Sequence, residues 1–141
     1  MMSLTDQLDF LQKFLHEDIY QRGDKNQVHD SLLKLGTEPS DIFKSFYYKY
    51  EGPFWEENVP FELLDITEVE SFTQIARNEH NFSKHYLVLS EMSANSVLVL
   101  NALNDHVYIV DFEGGDEKLI RGELKPTWLT FYEFLQAYFV V

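Results

Sequence analysis

Apolar residues recur at helical spacing from the start of the chain. Leu4, Leu8, Leu11, Leu15 and Ile19 define one stripe, with Asp6 and Asp9 near the positive end of the helix they predict. Gly23 is expected to end it, and Gly23-Asp24-Lys25-Asn26 reads as a turn. Val28, Leu32, Leu33 and Leu35 predict a second helix over 26–35, stopped by Gly36. Pro39 opens a third near its first turn, with Ile42, Phe43, Phe46, Tyr47 and Tyr50 as its apolar stripe and Gly52 at its end. Tyr47 and Tyr48 are adjacent, so one of them must point away from that stripe. Glu51 to Trp55 reads as a loop, and Phe61 to Ile66 as a first strand. Thr67-Glu68-Val69-Glu70 has capping-box spacing, so a helix of about three turns is expected through Asn78, with Val69, Phe72, Ile75 and Ala76 on one side.

The pattern then changes period. Tyr86 to Leu89 and Val97 to Leu100 are apolar at every position, as strands covered on both faces are. Residues 93–96 and 101–105 connect them to each other and to a third strand, Val107 to Val110. Gly114-Gly115-Asp116 reads as a turn, and Lys118 to Arg121 as a short edge strand with charged ends. Pro126 precedes the last helix. There Thr130 and Glu133 have capping-box spacing, and Leu129 and Phe134 stand at the two positions of a hydrophobic staple. Phe131, Phe134, Leu135 and Tyr138 share one helical stripe, and Trp128, Phe131, Phe134 and Tyr138 are expected in the core. The fold class is therefore α+β: N-terminal helices, a mostly antiparallel twisted sheet, and a C-terminal helix packed on the sheet. No repeat or linker divides the 141 residues, so one domain is expected over 1–141.

Composition narrows the function classes. An apolar content of 45% supports a real core. Cysteine is absent, which removes disulfides and thiol chemistry. No run approaches the ~20 apolar residues of a membrane helix. Met1 to Gln7 has no basic stretch leading into an apolar one, so no signal peptide and a cytoplasmic location are expected. With 24 acids against 11 Lys and Arg, the net charge is −13. Such a chain repels a phosphate backbone and attracts basic proteins, so no nucleic-acid partner is expected. Residues 51–80 carry eight acids and one base, Arg77, a net −7.

Reactive chemistry finds little support in the sequence. His16, His29, His80, His85 and His106 form no zinc-like spacing. Asp111-Phe112-Glu113-Gly114-Gly115-Asp116-Glu117 looks superficially like a calcium loop but lacks the alternating oxygen ligands and the distant glutamate, so a strand end entering a glycine turn is the better account. Gly-x-Ser-x-Gly, Gly-x-Gly-x-x-Gly and Walker patterns are missing. Catalytic residues, cofactors and metals are therefore not expected. Trp55 stands between Pro53 and Glu56-Glu57, close to Glu62. Trp is a frequent interface anchor, and acids around it complement a basic partner. Trp55, Glu56, Glu57 and Glu62 are the candidate partner-binding residues. The alternative is that Trp55 folds back onto the core as a lid.

Three stretches in order carry a family resemblance over about 35–139, with 3–34 as an N-terminal helical extension. They are Leu35-Gly36 with Pro39, Ile42, Phe43, Phe46 and Tyr50 to Phe54; Tyr86 to Leu89 with Val107-Tyr108 and Asp111 to Gly114; and Trp128-x-Thr130-Phe131-x-Glu133-Phe134-Leu135. Together they resemble the SUKH superfamily, named partly after the yeast Smi/Knr cell-wall-synthesis regulators. Glu51 departs from the Asn common before the corner glycine, and residues 91–96 lack the Gly-rich turn often seen between the first two strands. The resemblance implies a non-enzymatic immunity protein that binds and occludes a toxin domain, with a nuclease as one toxin type. Its alternative is a cytoplasmic regulatory scaffold like the yeast relatives.

Overall fold

Among the described residues the strands form one three-stranded antiparallel sheet, β1 (Tyr86–Val88), β2 (Ser96–Asn101) and β3 (Val107–Asp111), in the order β1-β2-β3. The structure is a computed structural model and describes residues 3–92 and 94–140. Leu87 lies opposite Leu100 across β1 and β2, and Val97 opposite Val110 across β2 and β3. Because side chains alternate along a strand, the sheet separates two apolar clusters. Leu87, Leu89, Leu98, Leu100 and Val107 enter the larger one, and Tyr86, Val88, Val97, Val99, Tyr108 and Val110 the smaller. The all-apolar runs follow from this two-sided cover.

Seven helices accompany the sheet among the described residues: α1 (Leu4–Leu8), α2 (Gln12–Leu15), α3 (Asn26–Leu35), α4 (Asp41–Lys49), α5 (Ile66–Glu79), α6 (Gly115–Ile120) and α7 (Phe131–Tyr138). Both α4 and α7 face the larger cluster, where Phe43 and Phe46 meet Phe131 at 5.0 and 5.9 Å between ring centres. Leu8, Leu11, Leu15 and Val28 join the same cluster, so the N-terminal helices are part of the core. On the opposite face lie Ala76 of α5 and Leu119 of α6. Thr73 Oγ1 accepts a 2.8 Å hydrogen bond from the Val88 amide, which ties α5 to β1.

Several expectations need correction. The first predicted helix is broken: α1 and α2 are separated by a 3₁₀ turn at Asp9–Leu11, and a second such turn spans Asp18–Tyr20. Gln21 accounts for the stop, because its side-chain amide donates to the Leu15 carbonyl at 2.6 Å and turns the chain away. Ile19 is left 73% exposed, outside the stripe it was predicted to extend. The side chain of Leu4, first in that stripe, lies outside the described residues. Residues 61–66 form no ladder. Leu63 makes single bridges to Phe54 on one side and Ser90 on the other, and Ile66 already starts α5. The N-cap of α5 is Asp65, not Thr67; Asp65 makes no side-chain cap because its carboxylate is engaged elsewhere. Ile75 turns out of the helix's buried side, where Thr73 takes its place.

The predicted edge strand at 118–121 is helix α6. Asp111 at the end of β3 accepts from the Glu113 and Gly115 amides at 2.9 and 3.1 Å, and Gly114 at φ 121° turns the chain into the helix. These bonds hold the Asp111 carboxyl below its ordinary pKa. A β-carbon at Gly115 would stand 2.8 Å from Asp111 Oδ2, so a larger residue there would push the Asp111 carboxylate away from the turn. Helix α7 starts at Thr130 as predicted, with Thr130 Oγ1 accepting from the Glu133 amide at 3.0 Å. Glu133 reaches back to the Leu129 amide at 3.0 Å rather than to Thr130. The staple is not Leu129, which is 58% exposed; half-buried Trp128 packs edge-on against Phe134 at 5.1 Å. In the connection between β1 and β2, Ala94 and Asn95 supply positive φ where glycine is missing. Ser93 of that connection lies outside the described residues.

Candidate protein-binding surface

Residues 55–62 form a loop whose two ends are held together by the core. Phe54 and Leu63 exchange two backbone hydrogen bonds of 2.8 and 2.9 Å at its base. Tyr138 of α7, completely buried, pins that base from below. Its hydroxyl accepts from the Leu63 amide at 3.2 Å and lies 2.7 and 3.0 Å from the Phe61 and Phe54 carbonyls, which share its proton. Burial first, and then the nearby Glu56 and Glu62 charges, push the Tyr138 pKa up to about 12, against the opposing backbone hydrogen bonds. Asn58 Nδ2 donates to the Tyr138 carbonyl at 2.9 Å. Val59 and Phe61 are buried, so the loop is anchored along its length as well as at its ends.

With those residues turned inward, the others face out. Trp55 is 57% exposed, which rules out the lid arrangement. Glu57 is exposed, and Glu56 and Glu62 are half-buried. The Phe54–Leu63 bridge brings Trp55 and Glu62 next to each other across the loop's stem. All four predicted residues therefore sit on one loop.

The acidic surface is drawn differently from the sequence segment that suggested it. Two of its eight acids, Glu51 and Asp65, turn toward Arg22 instead. The Arg22 side chain is fully buried. Its Nε donates to the Tyr47 carbonyl at 2.9 Å, one terminal nitrogen to the Tyr50 carbonyl at 3.2 Å, and both terminal nitrogens to the Asp65 carboxylate. Asp65 Oδ1 also accepts from the Gly52 amide at 2.9 Å. These contacts satisfy the last carbonyls of α4 and fix the corner that leads into the loop. In exchange, Glu91, from outside the segment, adds its charge to the field at Glu68. Desolvation, and then the charges of Glu62, Asp65 and Glu91, hold the Glu68 carboxyl above its ordinary pKa. Glu68 and Glu91 were missed because their proximity depends on how α5 lies beside β1.

Among the described residues no group of three or more His, Asp or Glu side chains is placed to hold a metal ion, and no helix is long and apolar enough to cross a membrane. His80 packs against Phe112 at 4.7 Å between ring centres, and desolvation lowers the His85 pKa. No protein-family model matches this chain, and no curated protein is significantly similar to it in sequence.

Proposed function

We propose that this is a non-enzymatic protein-binding domain, an immunity protein of the SUKH type that neutralises a toxin domain in the cytoplasm by covering a basic surface on it. The observation that carries this reading is the exposed Trp55 on a core-anchored loop with Glu56, Glu57 and Glu62 around it. A loop already held in one shape loses little conformational freedom on binding. Tryptophan supplies anchor area, and acids with a −13 net charge steer a cationic partner toward it. Against a nuclease toxin, the acidic surface takes the place of the nucleic acid and blocks its site.

Binding kinetics against the toxin encoded by a neighbouring gene test it. Charge reversal of Glu56 and Glu57 should slow association and flatten its salt dependence, with dissociation little changed. Trp55→Ala should act on dissociation and cost about 2 kcal/mol or more. Equal association and equal protection at every salt concentration would remove the loop from the interface. Tight binding to a basic cytoplasmic protein without protection from any toxin would move the assignment to a regulatory scaffold.

A further inference from the structure

Ser90, bridged to Leu63 at the base of the Trp55 loop, lines an apolar groove between α5 and the sheet. Its volume is about 150 Å³, and Phe72, Ile75, Met92, Val97 and Phe112 contribute to its lining. Ile75 is 46% and Met92 52% exposed, so two large apolar side chains of the lining are open to solvent. An apolar cavity of about this size accepts a benzene-sized group.

Acids stand at both ends of the groove. Glu68 lies one helical turn before Phe72, and Glu79 one turn after Ile75 and Ala76, all on the same side of α5. Glu91 lies between the lining residues Ser90 and Met92 and acts electrostatically on Glu68. Among the described residues, none of these three acids is in an ion pair. The other titratable side chain in the lining is His80. This pattern selects among occupants. A second copy of the chain would bring another −13 charge and another acidic rim, so self-association through this face is opposed. A neutral apolar molecule would leave the acids unused.

We propose that the groove binds a basic amphipathic segment of a protein partner: a bulky apolar side chain in the groove, with Lys or Arg one helical turn away on each side to meet Glu79 at one end and Glu68 and Glu91 at the other. This inference rests on the reading that the partner is a basic protein, and it adds a second contact beside Trp55. Met92 suits such a site, because an unbranched thioether repacks around different apolar anchors.

A fluorescently labelled synthetic helical peptide tests it, with Phe as the anchor and Arg four residues before and after. Two control peptides carry Gln or Glu in place of Arg. Anisotropy titrations should give saturable binding of the Arg peptide that weakens with salt, and at least about tenfold weaker binding of both controls. Ile75→Lys places a cation in the lining at an exposed position, and should weaken the Arg peptide at least about tenfold with circular dichroism unchanged. Should that variant misfold, Glu79→Lys, on the exposed end of α5, should weaken it several-fold. Ile19→Ala, at an exposed apolar residue outside the groove and the Trp55 loop, should leave peptide affinity unchanged. Absence of saturable binding up to millimolar peptide, equal binding of the Gln peptide, or equal binding by folded Ile75→Lys would each overturn the inference. Measuring toxin association in parallel separates the two readings. Toxin bound through the Trp55 loop with no peptide binding defeats only the groove, and peptide bound with no toxin binding defeats only the immunity assignment.

Discussion

Arg22 illustrates how much one residue can hold together. Its guanidinium joins the N-terminal segment, the C-terminal carbonyls of α4 and the carboxylate at the start of α5. A buried ion pair adds little against an apolar replacement of both partners, but breaking it by removing one leaves an uncompensated buried charge. Arg22→Met should therefore cost about 3–5 kcal/mol in urea denaturation. Adding Asp65→Asn should recover part of the loss, since the stranded carboxylate is the main penalty. Strictly additive costs for the two substitutions would mean that the pair is not coupled. Nothing local in Tyr20-Gln21-Arg22-Gly23 signals this role, because the Tyr47 and Tyr50 carbonyls and the Asp65 carboxylate lie 25 to 43 residues away in sequence. Phe131 is the contrasting case. It is completely buried, as its place in the aromatic stripe predicted, and its ring meets Phe43, Phe46 and Phe134. Phe131→Ala should cost roughly 3–5 kcal/mol, and an unchanged denaturation midpoint would contradict that packing.

At the scale of elements, legibility followed the distance over which the deciding interactions act. Helix α7 was legible because its cap lies within its own residues: Thr130→Ala should cost about 1 kcal/mol through the lost bond from the Glu133 amide. Its entry was misassigned by one position. Whether Leu129 or Trp128 packs on Phe134 depends on the approach of the preceding chain, which is fixed by the Val107–Trp128 bridge to β3. Leu129→Ala should consequently change stability by less than about 0.5 kcal/mol, while Trp128→Ala should cost several times more. Comparable losses from the two would restore Leu129 as the staple. The misread 118–121 stretch turned on Asp111, seven residues before it, whose carboxylate takes up the amides of the turn leading into α6. The misread 61–66 stretch has strand-like apolar content, but its two neighbours each offer it only one bridging position, Phe54 and Ser90. The placing of Trp55, Glu56, Glu57 and Glu62 on one loop was legible because they are close in sequence. The acidic end of the groove was not, because it joins residue 68 to residue 91 across the α5–β1 packing.

For the molecule as a whole, the two apolar clusters on either side of the sheet have a shared feature in their tyrosines. Burial raises the pKa of Tyr47, Tyr50, Tyr86 and Tyr138 above the ordinary value near 10, with Tyr138 reaching about 12. Three of them donate into the fold: Tyr47 to the Leu64 carbonyl at 2.8 Å, Tyr86 to the Leu119 carbonyl at 2.9 Å, and Tyr138 at the base of the Trp55 loop. Ionisation would abolish each donor and bury a charge. The sign of the pH dependence follows from which state loses protons first. In the unfolded chain these hydroxyls titrate near pH 10, whereas the folded protein keeps them neutral to higher pH. Their contribution is fully present below about pH 10, and falls as pH rises through that value toward 12. Each tyrosinate formed makes the −13 charge still more negative and adds repulsion to the loss. Alkaline unfolding should thus be cooperative, with a step in tyrosinate absorbance coinciding with the loss of helical circular dichroism. Denaturant midpoints should be insensitive to these groups between pH 8 and 9, and should drop steeply above about pH 10. Ionisation of all eight tyrosines with circular dichroism intact would show that these hydroxyls are accessible in the folded state, and that the loop base beneath Trp55 is open to solvent rather than pinned by Tyr138.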